Sequence, residues 1–556
     1  MGSSAAVDRR DAVLIRRNDY SVLCPPALGE WTPTLTVSVV IPAHNHQDKL
    51  DLVLAALAAQ TYPDHLTEVV IVDDASQPPL TLPPITPTHT RLITPDPGGW
   101  GSAHAVNTGA AHTTGDVILR LDADMLTFHH HIEAHMRWHH RCDYAAVIGH
   151  KRFVDHTPHT HTPQHIHHTV SEGRAETLFA GVPQEAQWIE RVIDATDRLR
   201  NADQSEAYRV FVGASGSVSR RMFEAVGGMD AAMILGGDTH FGYRLAQAGA
   251  VFIPDDQSSS WHLGRSQIQS RRDAAKRYRK PFQANRMPAL HYREAADRHL
   301  WTVPAVDVVV DAAGAVLDDV LGAVGPLLAG GSPRQVRVTL VADWPDPDRR
   351  HATLDDPHAE LRLIHETYRG DPRVHFTHTT PTPDPQVPYR LLLPASARTT
   401  RHALDTLIAA LDDAQAGLLE VRLDDGATVR LERHAAFARA RHLAPDDTDL
   451  DPLVDKGFGV LRIDSGDTVH TGVVDVLSTA RFGRRRDGVP QLAPARRDLA
   501  EARRELAAAR RRLTRQRRRI ARLRRTPLWR VRRLVDRRAR RLLPERAYRL
   551  LRRFTA

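Results

Sequence analysis

The sequence predicts an α/β fold with a mostly parallel sheet near its amino terminus. Two apolar runs typical of buried strands, VSVVI at 37–41 and EVVIV at 68–72, flank DKLDLVLAALAAQ at 48–60, whose apolar residues have helical spacing. Strands that alternate with helices form parallel sheets, and ligands of such sheets bind beyond the carboxyl ends of the strands. Acidic residues follow two of the predicted strands directly. We therefore expect one functional site at that edge of the sheet.

The other elements of this region continue the alternation, after a polar lead-in at 1–35 that is rich in proline. They are a short strand at 91–93, a helix that follows the glycine-rich turn at 98–101 and runs to Ala111, a strand at 116–121, a strand at 252–254, and a basic, helix-prone segment that runs to about His299.

Two pairs of carboxylates stand at the expected edge. Asp73 and Asp74 follow the second strand, and Asp122 and Asp124 belong to RLDADM after the fourth. An unpaired ionised carboxylate is costly away from water. The carboxylates of RLDADM therefore either cap a turn or share a positive partner such as a divalent cation, and the residues alone leave both alternatives open.

Two histidine-rich stretches receive no assigned chemistry. HTPHTHTPQHIHH lies in the loop that we expect from Arg152 to His168, and it is either a metal-binding tract or a solvated loop. The absence of Cys or acidic residues at ligand spacing favours the loop. HHHIEAHMRWHH at 129–140 predicts a helix whose histidines lie mostly on solvated faces.

Residues 301–490 predict a second α/β unit that repeats the first. AVDVVVDAAGAVLDDVLGAVGPLLAGG followed by VRVTLVADW again gives strand, helix and strand. The distance from Ile41 to Val72 is 31 residues, and so is the distance from Val310 to Val341. Any two α/β units can share such a rhythm, but the matched spacing favours a duplication.

The second unit lacks the carboxylates of the first. In PYRLLLPAS, Pro394 and Ser396 stand where the first unit has Asp122 and Asp124. Without these ligands the copy has nothing at that edge with which to hold a cation. We therefore expect the second unit to be catalytically silent.

Composition indicates a cytoplasmic protein of two to four domains. The 556 residues include 2 cysteines, Cys24 and Cys142, which are too few for a disulfide framework and predict a reducing compartment. No run of ~18 uncharged apolar residues predicts a membrane span. The amino terminus, MGSSAAVDRRDAV, lacks the apolar core of a signal peptide.

The carboxyl-terminal segment 491–556 is strongly basic. It has 25 arginines and 5 acidic residues, a net charge of +20, which leaves −12 for the rest of the chain. Leu499, Leu506, Leu513 and Ile520 are seven apart and predict a coiled coil, hence a homo-oligomer, with a single long helix on the body as the alternative. The following LWRVRRLVDRRARRLLPERAYRLLRRF predicts an amphipathic helix for an anionic membrane surface. Nucleic acid is a weaker candidate partner, because no base-reading module is present.

Six blocks resemble glycosyltransferase family 2 in order and spacing: VSVVIPAHN, VVIVDDAS, AHAVNTGAA, GDVILRLDADM, GGMDAAMILGGDTHFGYRL and SSSWHLG. One Asp-x-Asp is a weak signal, whereas six ordered blocks are specific. The resemblance implies a GT-A fold and an inverting reaction on a nucleotide-diphosphate sugar. It suggests a lead-in (1–35), a GT-A domain (36–300), a degenerate GT-A-like domain (301–490) and an Arg-rich coiled coil and amphipathic helix (491–556).

The resemblance also implies roles for individual residues. Asp238, which opens a predicted helix, would be the general base for the acceptor hydroxyl, the alternative being a charge that stabilises the helix start. Asp122, Asp124 and His262 would hold a divalent cation, Mn²⁺ or Mg²⁺, and an imidazole ligand favours Mn²⁺. The nucleotide-sugar would be bound by Pro42, Ala43, His44, Asn45, Asp73, Asp74, Asn107 and Asp122.

Three positions depart from the family pattern. His44 stands where many relatives have tyrosine, Val106 where relatives often have arginine, and Gly237 where a glutamate precedes the base. The first two concern the donor, for which a uridine nucleotide remains favoured. Asp238 itself keeps the place of the base.

These observations predict a metal-dependent, inverting glycosyltransferase of cell envelope polysaccharide biosynthesis, peripheral on the inner face of the cell membrane. It would transfer a sugar from a nucleotide-diphosphate sugar, with a UDP-sugar favoured, to a lipid-linked or cell-surface glycan. The alternative is a catalytically inactive glycosyltransferase-like scaffold that organises a membrane-associated assembly. Intact Asp122, Asp124, Asp238 and His262 favour the enzyme.

Overall fold

The computed structural model of the protein describes one compact unit, which lies within Met1–Thr479. The residues that it describes are 13–183, 188–264, 271–289, 293, 300–329, 335–346, 348–444, 448–466 and 469–471. The predicted coiled coil and amphipathic helix at 491–556 lie outside these residues. Within them, no helix is long and apolar enough to cross a membrane.

The first sheet has eight strands in the order β3-β2-β1-β4-β7-β6-β8-β5. The pairs β1–β2, β1–β4, β2–β3 and β6–β8 are parallel, and β4–β7, β6–β7 and β5–β8 are antiparallel. The predicted α/β fold with a mostly parallel sheet is therefore confirmed. The strands are β1 Val37–Ala43, β2 Thr67–Asp73, β3 Thr90–Ile93, β4 Val117–Leu121, β5 Met125–Thr127, β6 Ala145–Val154, β7 Ser215–Ser219 and β8 Val251–Leu263.

Helices cover the two faces of this sheet because each presents an apolar side to the strands. In the first of them, every residue from Leu52 to Leu57 is buried, and the second buries Ala105 and Val106 against β1 and β2. The helices are α1 Gln47–Leu57, α2 Ser102–Ala111, α3 His131–His139, α4 Pro163–Ser171, α5 Trp188–Ala195, α6 Gln204–Ala207, α7 Arg220–Ala225, α8 Gly237–Gln247 and α9 Arg272–Arg286.

The loop predicted from Arg152 to His168 is wrong at both ends. Strand β6 continues to Val154, and α4 begins at Pro163. The hydroxyl of Thr162 accepts a hydrogen bond from the N–H of His165 and caps this helix. Ile166 and Val170 are fully buried on its inner side. Two apolar residues four apart were enough to dock a helix that the surrounding His, Thr and Pro residues hid from the sequence pattern.

The histidines of α3 are buried, which contradicts the predicted solvated faces. Nε2 of His131 and Nε2 of His135 lie 2.9 and 3.1 Å from the hydroxyl of Ser215. Nδ1 of His135 and Nε2 of His139 both lie 2.8 Å from the hydroxyl of Ser217. Alternate serines of β7 thus satisfy a row of imidazoles four residues apart. Burial lowers the pKa of His131 to about 4.

A second sheet of seven strands has the order β11-β10-β9-β12-β15-β14-β16. Its pairing directions match those of the first sheet position by position: β9–β10, β9–β12, β10–β11 and β14–β16 are parallel, and β12–β15 and β14–β15 are antiparallel. This shared topology supports the proposed duplication. The strands, with two that form a separate ladder, are β9 Val306–Asp311, β10 Val336–Val341, β11 Val374–Thr377, β12 Tyr389–Pro394, β13 Ala397–Thr399, β14 Leu418–Arg422, β15 Thr428–Arg433, β16 Val460–Asp464 and β17 Val469–Thr471.

The helices of this second half pack on its sheet in the same way. Val320, Val324 and Leu327 of the first of them are buried in its core. The helices are α10 Leu317–Ala329, α11 Ala359–Tyr368, α12 Ala403–Asp413, α13 His434–Leu443 and α14 Asp451–Gly457.

Arg439 of α13 joins the two halves. Its guanidinium donates hydrogen bonds to the carbonyl oxygens of Gly249, Ala250 (2.8 Å) and Arg17 (3.1 Å), and it lies 5.0 Å from the ring centre of Tyr144. Gly249 directly follows the carboxyl-terminal end of α8, where a positive charge is favourable. The second half is therefore attached to the segment that follows α8, the helix whose first turn contains Asp238.

Candidate active site

The carboxylates of RLDADM stand where β4 ends at the edge of the first sheet. The N–H of Asp122 donates a hydrogen bond to the carbonyl of Ala214, at the start of β7. One oxygen of Asp122 accepts a hydrogen bond from Arg120 at 3.1 Å. Burial raises the pKa of the Asp122 carboxyl, although the Arg120 guanidinium opposes that shift. Asp122 is thus a partly buried carboxylate whose charge one arginine compensates.

His262 faces the second carboxylate. It lies on β8 opposite Met125 of β5, and its Nε2 is 3.7 Å from Oδ1 of Asp124. Its Nδ1 lies 2.9 Å from the carbonyl oxygen of Gly264. Because a carbonyl can only accept, Nδ1 carries a proton, and this hydrogen bond orients the ring with Nε2 towards Asp124. The imidazole packs flat on Phe153, with ring centres 4.3 Å apart.

This donor set fits a divalent cation in its chemistry. When two ligand atoms each bind the same cation at ~2.1 Å, they lie about 3.0 Å apart if the angle at the cation is 90° and about 4.2 Å apart if it is 180°. The 3.7 Å between Nε2 of His262 and Oδ1 of Asp124 falls inside this range. Among the described residues, however, no group of three or more His, Cys, Asp or Glu side chains is close enough to hold a metal ion. Lys49, 3.7 Å from the other oxygen of Asp124, supplies part of the positive charge instead.

Asp238 occupies the first turn of α8, on the other side of Arg120. Oδ2 accepts the N–H of Gly213 at 3.1 Å, and Oδ1 accepts the N–H of Thr239 at 2.8 Å. Gly236 precedes the helix with φ of 81°, in the left-handed region that glycine adopts without strain. The carboxylate is therefore oriented by two backbone amides.

A small cavity of about 20 Å³ lies beside Asp238. Arg120 and Asp238 are its charged lining groups, and its other walls are apolar side chains and two glycines. Arg120, which binds Asp122, and the proposed base therefore line the same small cavity.

The predicted nucleotide-binding residues divide into two groups. His44 is exposed, and its Nδ1 lies 2.6 Å from the carbonyl oxygen of Asp74. The side chain of Asp74 accepts the N–H of Gly101 at 2.8 Å, so the turns after β1 and β2 and the start of α2 meet here. Pro42 and Ala43 end β1 beside them.

In the other group, the side chains form hydrogen bonds with backbone groups of nearby loops. Both oxygens of Asp73 accept backbone amides, from Ser76 at 3.0 Å and Leu80 at 2.9 Å. Asn107 exchanges two hydrogen bonds with the backbone of Met229, at 2.7 and 2.8 Å. In a third case, the amide oxygen of Asn45 accepts the N–H of Gln77 at 2.9 Å. These three side chains hold loops of the site together, and their contact with a donor stays a prediction.

Residues 38–204 match the family described as glycosyl transferase family 2. The match begins in β1 and spans α2, β4 and Asp122 and Asp124. This segment of the chain is similar to glycosyl transferase family 2. The resemblance found in the sequence is thus confirmed. The matched segment ends before Asp238 and His262, whose roles therefore stay proposals.

Solved structures share a weak likeness with the chain. The mannosyltransferase PcManGT from Pyrobaculum calidifontis, in complex with GDP-Man and Mn²⁺, is 20% identical over 46% of this chain and 64% of its own, with a TM-score of 0.29. S. aureus TarS 1-349 is 14% identical over 41% of this chain and 60% of its own, with a TM-score of 0.28. The chain spans less than two thirds of either structure. No curated protein matches it significantly.

Three cationic side chains near the carboxylates of the first sheet follow no local sequence pattern. Lys49 of α1, Arg120 of β4 and Lys151 of β6 all interact with these carboxylates. Each lies outside the family motifs or inside an apolar run, so no local pattern marks it. The one available signal is the rarity of lysine, which occurs 5 times among 75 Lys and Arg residues.

The corresponding edge of the second sheet carries its own cation. Arg398, two residues after Ser396, is buried and pairs with Asp319 at 2.6 Å. It also donates to the carbonyl of Ser396 at 3.2 Å, while the hydroxyl of Ser396 binds Asp425. A fixed guanidinium thus lies near the strand end, where the first sheet has carboxylates. This supports the expectation that the second half is catalytically silent.

Proposed function

We propose that the protein is a cation-dependent, inverting glycosyltransferase that takes a sugar from a nucleotide-diphosphate sugar. The observation that carries this proposal is the approach of His262 to Asp124 beside Asp122. Two carboxylates and an imidazole are a ligand set for Mn²⁺ or Mg²⁺. When bound, the cation neutralises charge on the diphosphate that leaves the sugar.

The protein's own residues supply the remaining chemistry. Asp238 accepts the proton of the acceptor hydroxyl as this oxygen attacks the anomeric carbon from the face opposite the diphosphate. Its two amide hydrogen bonds hold the carboxylate in one orientation, so the base is positioned before the acceptor binds. Asp122 accepts a hydrogen bond from Arg120, which lines a small cavity together with Asp238.

Donor recognition is assigned to the turns after β1 and β2. The imidazole of His44 is exposed beside Asp74, where it can stack on a base while the carboxylate accepts a ribose or base hydrogen bond. Asp73 and Asn45 contribute by holding the same turns. A uridine nucleotide is the proposed donor, in line with the paired aspartates.

The acceptor is proposed to be a lipid-linked or cell-surface glycan. This part rests on the sequence of 491–556, whose net charge of +20 favours attachment to an anionic membrane surface from the cytoplasmic side. Its leucine heptads favour a homo-oligomer. The domain boundaries proposed at residues 35, 300 and 490 belong to the same hypothesis.

A donor-turnover screen tests the proposed function. The full chain is incubated with UDP-, GDP- and dTDP-sugars in the presence of Mn²⁺, and release of the nucleoside diphosphate is measured. Release from at least one donor, lost in Asp122→Asn, is expected. An absence of turnover and of nucleotide binding across the panel would contradict the assignment of a donor site.

A further inference from the structure

Lys151 lies on a strand that the family motifs do not include, within electrostatic range of Asp122 and Asp238. On β6 it pairs with Ser260 of β8, and two residues further along Phe153 pairs with His262. Alternate residues of a strand share a face, so Lys151 lies on the face of Phe153, against which the ring of His262 packs. Arg152, between them, turns to the opposite face and lies over the ring of Trp261.

Lys151 is a buried residue whose ammonium group has no close partner. Only 5% of the residue is exposed. Among the described residues, none forms a hydrogen bond or an ion pair with it. The charged groups that face it at longer range are the carboxylates of Glu190, Asp122 and Asp238 and the guanidinium of Arg120. Burial lowers the pKa of Lys151 to about 8, while the three carboxylates favour its charged form.

Other buried cationic side chains of the protein have hydrogen-bond partners. Arg137 donates two hydrogen bonds to Asp255, and Arg439 is saturated by backbone carbonyls. Glu190, which attracts Lys151 most, is itself engaged by His150 at 3.4 Å. Burying a charge without hydrogen bonds is costly, so a structural lysine would be expected to have a partner. An unpaired ammonium within electrostatic range of both Asp122 and Asp238 is instead suited to an anion that arrives with the substrate.

We propose that Lys151 binds the phosphoryl group of the donor nearest to the sugar and stabilises the diphosphate as it leaves. The proposal rests on the proposed function and identifies a further leaving-group cation. The bond between the anomeric carbon and the phosphoryl oxygen breaks, and its electron pair stays on the diphosphate. The acceptor oxygen forms the new bond to the anomeric carbon, and its proton passes to Asp238. Lys151 stays protonated and neutralises part of the new charge.

Nucleotide affinities test this assignment without the need for an acceptor. Binding of UDP and UMP to the full chain is measured by calorimetry for the wild type, Lys151→Met and the exposed control Lys456→Met. UMP lacks the phosphoryl group in question and reports on the nucleoside pocket. We expect Lys151→Met to bind UDP about 10-fold more weakly or worse and UMP unchanged, because a hydrogen bond to a charged group is lost. The control should bind both as the wild type does.

The outcomes separate this inference from the function on which it rests. A wild type that binds neither UDP nor GDP contradicts the proposed function itself. A wild type that binds UDP, with Lys151→Met equal to it, overturns the role of Lys151 alone. If Lys151→Met leaves the UDP affinity unchanged but raises the KM for the acceptor, Lys151 binds an anion of the acceptor. This result would also overturn the proposed role. If Lys151→Met does not fold, Lys151→Gln is judged by the same ratio of UDP to UMP affinity.

Discussion

The backbone N–H of Gly213 donates a hydrogen bond to Oδ2 of Asp238 over 3.1 Å. The same glycine lies directly against Arg120, since a β-carbon at this position would be 2.0 Å from Nη1 of that arginine. Arg120 in turn binds Asp122 at 3.1 Å. One glycine and one arginine therefore fix the proposed base relative to the carboxylate edge.

The first prediction concerns Asp238. Asp238→Asn keeps the shape of the side chain but removes the proton acceptor, so transfer should fall by ~10²-fold or more. Donor affinity should change little, because the base faces the acceptor. Steady-state transfer and calorimetric UDP binding measure the two effects.

The matched control for Asp238 is Asp273→Asn. Asp273 is the second residue of α9, as Asp238 is of α8, and it is exposed. If Asp238 only provided a charge at a helix start, the two variants would lose a similar small amount of stability and keep full activity.

Asp73 and Asp74 should differ in what they support. Asp73→Ala leaves the amides of Ser76 and Leu80 unpaired in a buried turn, so the free energy of unfolding should fall by about 1–3 kcal/mol. Asp74→Ala removes one hydrogen bond, from Gly101, at a less buried position and should mainly weaken UDP binding. Urea unfolding and UDP titration of both variants check this. Equal losses of stability would contradict the separation.

Stability should fall as the pH is lowered from about 7 to 5. Four buried histidines have pKa values lowered by burial to about 4: His131, His240, His434 and His442. The unfolded chain takes up their protons near pH 6.5 and the folded protein only near pH 4. Their contribution to the free energy of unfolding is therefore fully present above pH 6.5. Below pH 6.5, each histidine reduces this free energy by about 1.4 kcal/mol for every pH unit. A flat profile of urea unfolding from pH 7 to 5 would show that these rings are protonated in the folded protein.

The tail should carry membrane attachment and oligomerisation. Binding of the full chain to vesicles with anionic lipid should weaken as salt is raised, because surface charge is screened within ~8 Å at physiological ionic strength. Deleting 491–556 should abolish this binding and leave donor turnover in place. Equal vesicle binding by both forms would contradict membrane attachment through this segment. Dimers that persist after the deletion would contradict oligomerisation through the coiled coil.

The sequence pattern predicted the strands around the site. It did not predict the side chains whose contacts are distant in the chain. Repeating apolar runs locate β1, β2 and β4, and the acidic residues that follow them meet at one edge because parallel strands end there. Lys151 is brought in by β6, which follows no motif. The burial of His135 depends on serines of β7, 82 residues away in the chain at Ser217. Such pairs depend on tertiary contacts, which local periodicity cannot predict.

The most direct test of the central claim is the metal dependence of donor turnover. Wild type, His262→Gln and Asp124→Asn are stripped with EDTA and then titrated with Mn²⁺. We expect that chelation abolishes turnover by the wild type, that Mn²⁺ restores it, and that both variants need far more Mn²⁺ or stay inactive. Undiminished turnover by the wild type in EDTA would contradict this claim.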